Sequence, residues 1–147
     1  MEIKKLTPFL WYNNQAEEAA QLYCSIFKNS KIINLSHMMV TFELEGQRFM
    51  AGNFGPQFQF NEAISFFVNC DSQEEVDYFW EKLTENGGSE GRCGWLKDKF
   101  GVSWQIIPSA FGKMAAGEPA KAQRMFAAMQ QMNKMDIKKL QQAYDGQ

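Results

Sequence analysis

The chain has 147 residues, 45% of them hydrophobic and 14% aromatic, and carries a formal net charge of −2. That length suits one compact domain, or two half-size modules sharing a core, and it supplies enough apolar surface to fold without staples. No Lys/Arg stripe marks a nucleic-acid footprint, no segment has the length of a transmembrane helix, and Cys24, Cys70 and Cys93 form no Cys-x-x-Cys; the expectation is a cytoplasmic protein with free thiols and neither nucleic-acid nor membrane partners.

Residues 3–12 alternate imperfectly around Pro8 and predict a strand at a sheet edge. Asn13-Asn14 is a turn. A helix follows, with Glu17 and Glu18 in its first turn, where carboxylates favour the positive end of the dipole. Its apolar stripe is Ala16, Ala19, Ala20, Leu22, Tyr23, Ile26 and Phe27. Residues 31–35, 39–45 and 47–53 predict three strands, with Glu45-Gly46 as a tight hairpin turn. The loop 54–60 carries three Phe residues. Residues 63–70 form a strand, and Ser72 to Glu75 fits a capping box that opens a second helix. That helix carries Val76, Phe79, Trp80 and Leu83 and stops at Asn86-Gly87-Gly88. Residues 93–108 read as strand, polar turn and strand, with Lys97-Asp98-Lys99 and Gly101 in the turn.

The order β, α, β, β, β, then β, α, β, β argues for an α+β fold of two similar modules sharing a sheet, about 1–55 and 61–108, the second one strand short; the strand-helix units equally suit a ferredoxin-like sandwich. Together they make a domain over 1–108. Residues 109–147 form a helical extension. Pro119 starts one helix, and Met125, Met129 and Met132 recur at helical spacing with Phe126 adjacent. Asp136 caps another, which carries Ile137, Leu140 and Tyr144 and stops at Gly146. These helices must dock on the sheet domain or on a partner subunit; the methionines read as a docked core stripe, with a Met-rich ligand groove as the alternative.

Four stretches, 16–27, 40–46, 63–68 and 93–108, together resemble the PhnB-like branch of the vicinal oxygen chelate superfamily (glyoxalase, bleomycin resistance and dioxygenase proteins), often called demethylubiquinone methyltransferase-like. The resemblance runs from about Ile3 to Pro108 and on into the C-terminal helices. It implies paired βαβββ modules forming a curved mixed sheet around a cavity, commonly in a homodimer. Metal-dependent members hold a divalent ion on four strand side chains, and the ion stabilises charge on the substrate.

Carried onto this chain, the four ligand positions fall at about Pro8, within Phe49 to Asn53, near Ala63, and at Gln105. None offers a carboxylate or an imidazole, and a divalent transition ion needs several such donors. The resemblance therefore implies neither metal nor other cofactor here. The methyltransferase label finds no support either, since no Gly-rich turn of a dinucleotide or methyl-donor fold is present. His37, the one histidine, is read as a surface residue, and Cys24, Cys70 and Cys93 as structural thiols.

Asn53, Ser65 and Gln105 lie on strands that the resemblance places around the cavity. Strand alternation separates Ser65 and Gln105 from the apolar residues beside them. Trp95 is the tryptophan best placed to join them, whereas Trp11, Trp80 and Trp104 read as core. Neutral polar groups among aromatics describe a small-molecule pocket. The expected function is capture of a small ligand by Asn53, Ser65, Trp95 and Gln105 without metal. Two alternatives stand beside it: a metal-dependent enzyme drawing on Glu43, Glu62, His37 or the second subunit, and a dimeric interaction protein with a vestigial cavity.

Overall fold

Most sheet strands in this molecule follow from alternation, and α1, α2 and α5 from a stripe or a cap. The computed structural model describes residues 4–147. Within these the chain divides into two units, one up to Gln59 and the other from Phe60 onward.

The first unit contains β1 (Phe9–Tyr12), α1 (Ala16–Ile26), β2 (Ser30–Leu35), β3 (Met39–Leu44) and β4 (Gln47–Asn53). Its sheet runs β1-β4-β3-β2, with β1 parallel to β4 and the other pairs antiparallel. The first strand is shorter than expected: it begins at Phe9, and Ile3 lies outside the described residues. Pro8 precedes this edge strand, its carbonyl accepting from the Met50 N–H. Glu45 and Gly46 both have positive φ, at 50° and 83°, as a two-residue hairpin turn with matched twist requires. Leu10, Tyr12, Val40, Phe42, Leu44, Phe49 and Ala51 are buried on the face that α1 covers. There Ala16, Ala19, Ala20, Tyr23 and Ile26 meet them, and the Tyr12 and Tyr23 hydroxyls pair at 3.1 Å.

The second unit repeats the pattern with β5 (Phe66–Cys70), α2 (Gln73–Thr84), β6 (Ser89–Glu90), β7 (Trp95–Lys97) and β8 (Ser103–Pro108). Its sheet runs β5-β8-β7-β6, again with the first strand parallel to the last. The strand expected to be missing is β6, only two residues long. The strand expected over 63–70 starts at Phe66, because Glu62 to Ile64 turn. Ser72 caps α2 by accepting from the Glu75 N–H at 3.1 Å; the Glu75 carboxylate reaches back to the Asp71 N–H rather than to Ser72. Val76, Trp80 and Leu83 of α2 bury Leu96, Trp104 and Ile106 of the sheet. Three helices complete the unit: α3 (Ser109–Ala115), α4 (Pro119–Met129) and α5 (Ile137–Asp145). The first of them was not expected. Asp136 caps α5 through the Lys139 N–H, and Gly146 ends it at φ 81°.

These helices dock on the unit by polar clamps as well as by packing. The Cys93 and Gly94 N–H groups donate to the Met132 and Asn133 carbonyls, and the Gln73 amide bonds both Met135 O and Ile137 N. The buried methionines are Met114, Met125 and Met135; Met129 and Met132 are half-buried. All three cysteines are free thiols. Cys70 is fully buried, and burial foremost, with Glu75 and Asp71 adding to it, pushes its thiol up to about 12, so it stays protonated and inert. Among the described residues no helix is long and apolar enough to cross a membrane.

Candidate functional site

In each unit the module's own helix, α1 or α2, covers one face of the sheet. In the second unit the residues on the other face follow from register. Phe67 is the partner of Gln105, and Gln105 is the partner of Trp95, so the three form one row across β5, β8 and β7. Phe67 is 59% exposed, and Gln105 and Trp95 are half-buried. Ser65, just before β5, accepts a hydrogen bond at 2.9 Å from the Gln105 amide nitrogen. The structure thus brings together three of the four residues singled out in the sequence. The Gln105 carbonyl oxygen remains as an acceptor at the centre of the row, between an indole and a phenyl ring.

Asn53 stands apart from those three. It belongs to the first unit, and its register partner Tyr12 places it on the helix-covered face of its sheet. Its Oδ1 accepts from the Ala16 N–H at 2.8 Å, which satisfies an orphan donor at the start of α1. Gln15, the residue at the cap position, supplies no side-chain bond, so Asn53 caps the helix from 37 residues away. Asn53→Ala is expected to lower stability by about 1 kcal/mol, read by urea unfolding, and to leave ligand responses unchanged.

The tryptophans divide differently from the expectation. Trp80 and Trp104 are core: Trp80 donates to Glu90, and Trp104 donates from Nε1 to Asp98 Oδ2 at 2.9 Å. Trp11 is not core. Leu10 and Tyr12 take the buried positions of β1, which leaves Phe9 and Trp11 on the uncovered face of the first sheet. Phe54 and Phe58 of the following loop pack against Trp11, tilted and edge-on, with ring centroids 5.0 and 4.9 Å away, and the indole donates to the Gly55 carbonyl. Gly52 lies under the Phe54 ring, in space a Cβ would have to share.

The residues offered for a metal have other partners. Glu43 pairs with Arg48 across β3 and β4 at 2.8 Å, and this bond, above all other influences, holds its carboxyl below the usual range. Glu62 pairs with Lys97, which likewise lowers its carboxyl. His37 is exposed in the turn between β2 and β3. Among the described residues no three His, Cys, Asp or Glu side chains gather as a metal site. The donor set therefore does not fit a divalent ion within either unit.

Comparison with known proteins accords with this architecture. The chain is similar over 71% of its length to a putative PhnB protein from Bacillus cereus, at 33% identity, covering 99% of that chain with a TM-score of 0.67. A Pseudomonas aeruginosa protein matches at 19% identity and TM-score 0.60, over 72% of this chain and 98% of that one. The fosfomycin resistance protein FosX from Listeria monocytogenes, solved with Mn(II) and sulfate, matches at 18% identity and TM-score 0.52, over 71% and 88%. No curated protein matches the sequence at a significant level. The sequence family described as 3-demethylubiquinone-9 3-methyltransferase matches residues 4–107, so α3, α4 and α5 lie outside it, short of the extent the resemblance was expected to have. With two βαβββ modules, a fold shared with these neighbours, and that match, the chain belongs to the PhnB-like 3-demethylubiquinone-9 3-methyltransferase family.

Proposed function

We propose that this protein binds a small molecule without metal, as a cytoplasmic homodimer, on the uncovered face of its second sheet. The observation that carries the reading is the Gln105–Ser65 hydrogen bond at the centre of the Phe67–Gln105–Trp95 row. The bond tethers the amide to Ser65 and leaves its other end to meet a ligand. The two rings supply apolar area with little rotamer freedom to lose. A neutral acceptor between aromatic side chains recognises a partly apolar ligand bearing a donor, and performs no bond-breaking step by itself. The metal-free part of the reading is supported by the ion pairs that occupy Glu43 and Glu62.

Methyl transfer, which the family's description names, is not carried over. A methyl-donor site of the Rossmann type needs a glycine in the first strand-to-helix turn so that the backbone can approach the cofactor. Here those turns are Asn13-Asn14-Gln15 and Asp71-Ser72, with no glycine in either.

The test is a thermal-melt screen of chelator-treated protein against aromatic small molecules and against Mg, Mn, Fe(II), Co, Ni and Zn. Aromatic ligands are expected to raise Tm and the metals to leave it unchanged. A ligand at a hundred times its Kd adds about 2.7 kcal/mol, which a melt resolves readily. Gln105→Ala and Trp95→Ala are each expected to abolish the response with the unliganded Tm little altered. A clear response to one metal ion, matched by that ion in untreated protein, would overturn the reading.

A further inference from the structure

Beyond Trp95 the same face runs into a depression of about 470 Å³, whose lining includes Glu62, Glu90, Arg92, Trp95, Lys97 and Ser103. Ser103 is 1% exposed and lies on the same side of the sheet as its register partner Lys97. Its Oγ is the one buried side-chain polar atom among the described residues that has no hydrogen-bond partner. Leaving a buried hydroxyl unpaired is destabilising, so its unspent donor and acceptor call for an explanation at the site itself.

The charges around it narrow the ligand. The lining holds two carboxylates and two cations, and Glu62 is already paired with Lys97. An ionic ligand at Glu62 or Lys97 would have to compete with that pair, while Arg92 and Glu90 are already bonded to the Gln130 carbonyl and the Trp80 indole. A hydroxyl need not: it donates to the carboxylate and accepts from the ammonium without displacing either charge. Both side chains of the pair are partly exposed, 43% for Lys97 and 62% for Glu62, so they are free to swing and open a path to Ser103. Trp95 offers a flat apolar surface to the C–H face of a ring.

We propose that this depression binds a neutral, polyhydroxylated ring of the pyranose class. Its apolar face lies on Trp95, one hydroxyl meets Ser103 Oγ, and others bridge Glu62 and Lys97. This assignment rests on the reading of the uncovered face as a ligand site and names the ligand class.

The experiment titrates isotope-labelled full-length protein with methyl β-glucopyranoside, with glucuronate as the charged counterpart, and follows amide and indole N–H resonances. Saturable shifts are expected at the Trp95 indole and the Lys97 and Ser103 amides, with glucuronate weaker. Ser103→Ala is expected to weaken binding roughly threefold to tenfold, the worth of one neutral hydrogen bond, while its Tm stays level or rises. No saturable shift, tighter binding of glucuronate, or unchanged affinity in Ser103→Ala would each overturn the proposal. Aromatic probes that bind and lose binding in Gln105→Ala, beside silence toward the glucoside, would overturn it and leave the broader reading of the face standing. A glucoside response that depends on Ser103 but not on Gln105 would sustain it and retire the Gln105 row instead.

Discussion

Replacing Asp98 by Ala is expected to cost the protein roughly 3–5 kcal/mol, read as a drop in the urea midpoint at constant m-value. The carboxylate is only 3% exposed, yet it sits in what reads as a polar surface turn. Its Oδ1 accepts from the Phe100 N–H at 2.9 Å and from the Val102 N–H at 3.1 Å, and its Oδ2 accepts from the Trp104 indole at 2.9 Å. One side chain thus closes the turn between β7 and β8 and ties it to the core tryptophan. Alanine would leave three donors without that acceptor, in a region where water has little access. Hydrogen bonds to a charged acceptor are worth about twice neutral ones, and a stranded buried donor costs more than the bond itself was worth. Asp98→Asn retains one acceptor oxygen and adds a donor facing other donors, so it is expected to fall between the wild type and Asp98→Ala. A loss within about 0.5 kcal/mol for Asp98→Ala, the range of an ordinary surface change, would show the turn holding without its carboxylate. Because β7 and β8 carry Trp95 and Gln105, the same change is expected to loosen the candidate site as well.

Asp98 also shows where the sequence ceased to be readable. A Lys-Asp-Lys run before a glycine carries the composition of a solvated turn, and nothing local reveals that the aspartate points inward. The helices were legible because their signals are local: α1 and α2 by stripe, α2 and α5 by the caps at Ser72 and Asp136. The two elements missed lack such signals. Strand β6 has two residues, too few for any period to register, and α3 follows a proline, has no side-chain cap and contains Gly112. Strand β1 is only four residues long, so its phase rested on few positions; a shift of one residue exchanges the faces, which is how Trp11 was assigned to the core.

The candidate site was legible to the same extent and for the same reason. Ser65, Trp95 and Gln105 share a face by alternation and pairing of neighbouring strands, which the sequence pattern encodes. Asn53 failed because its role is set by a helix start 37 residues away. The unpaired Ser103 hydroxyl had no signal at all, since an unmet hydrogen bond is a property of the packed surroundings.

Gly94→Ala is the second change expected to have a large effect, about 3 kcal/mol or more, because it combines backbone strain with a clash. Gly94 has φ +85°, a region costing an L-residue roughly 1–2 kcal/mol. An added Cβ would stand 2.8 Å from Ile107 Cδ1, 3.0 Å from the Ile106 carbonyl oxygen and 3.3 Å from Met135 Cγ. The side-chain atoms can give by a few tenths of an ångström; the carbonyl cannot, because it belongs to the central strand. The backbone has no freedom to retreat either. Gly94 accepts from the Ile106 N–H at 2.7 Å on one side and donates to the Asn133 carbonyl at 2.8 Å on the other. Moving it would part the C-terminal helices from the sheet at the point where they are clamped. Gly101→Ala serves as the control. Its φ is +90°, but nothing lies within 4 Å of the added Cβ, so it carries only the conformational part of the cost. A larger loss at Gly94 than at Gly101, with helical signal lost ahead of sheet signal on mild denaturation, is the expected result. Equal losses at the two glycines would mean that the junction between β7 and the C-terminal helices is loose enough to absorb a methyl group.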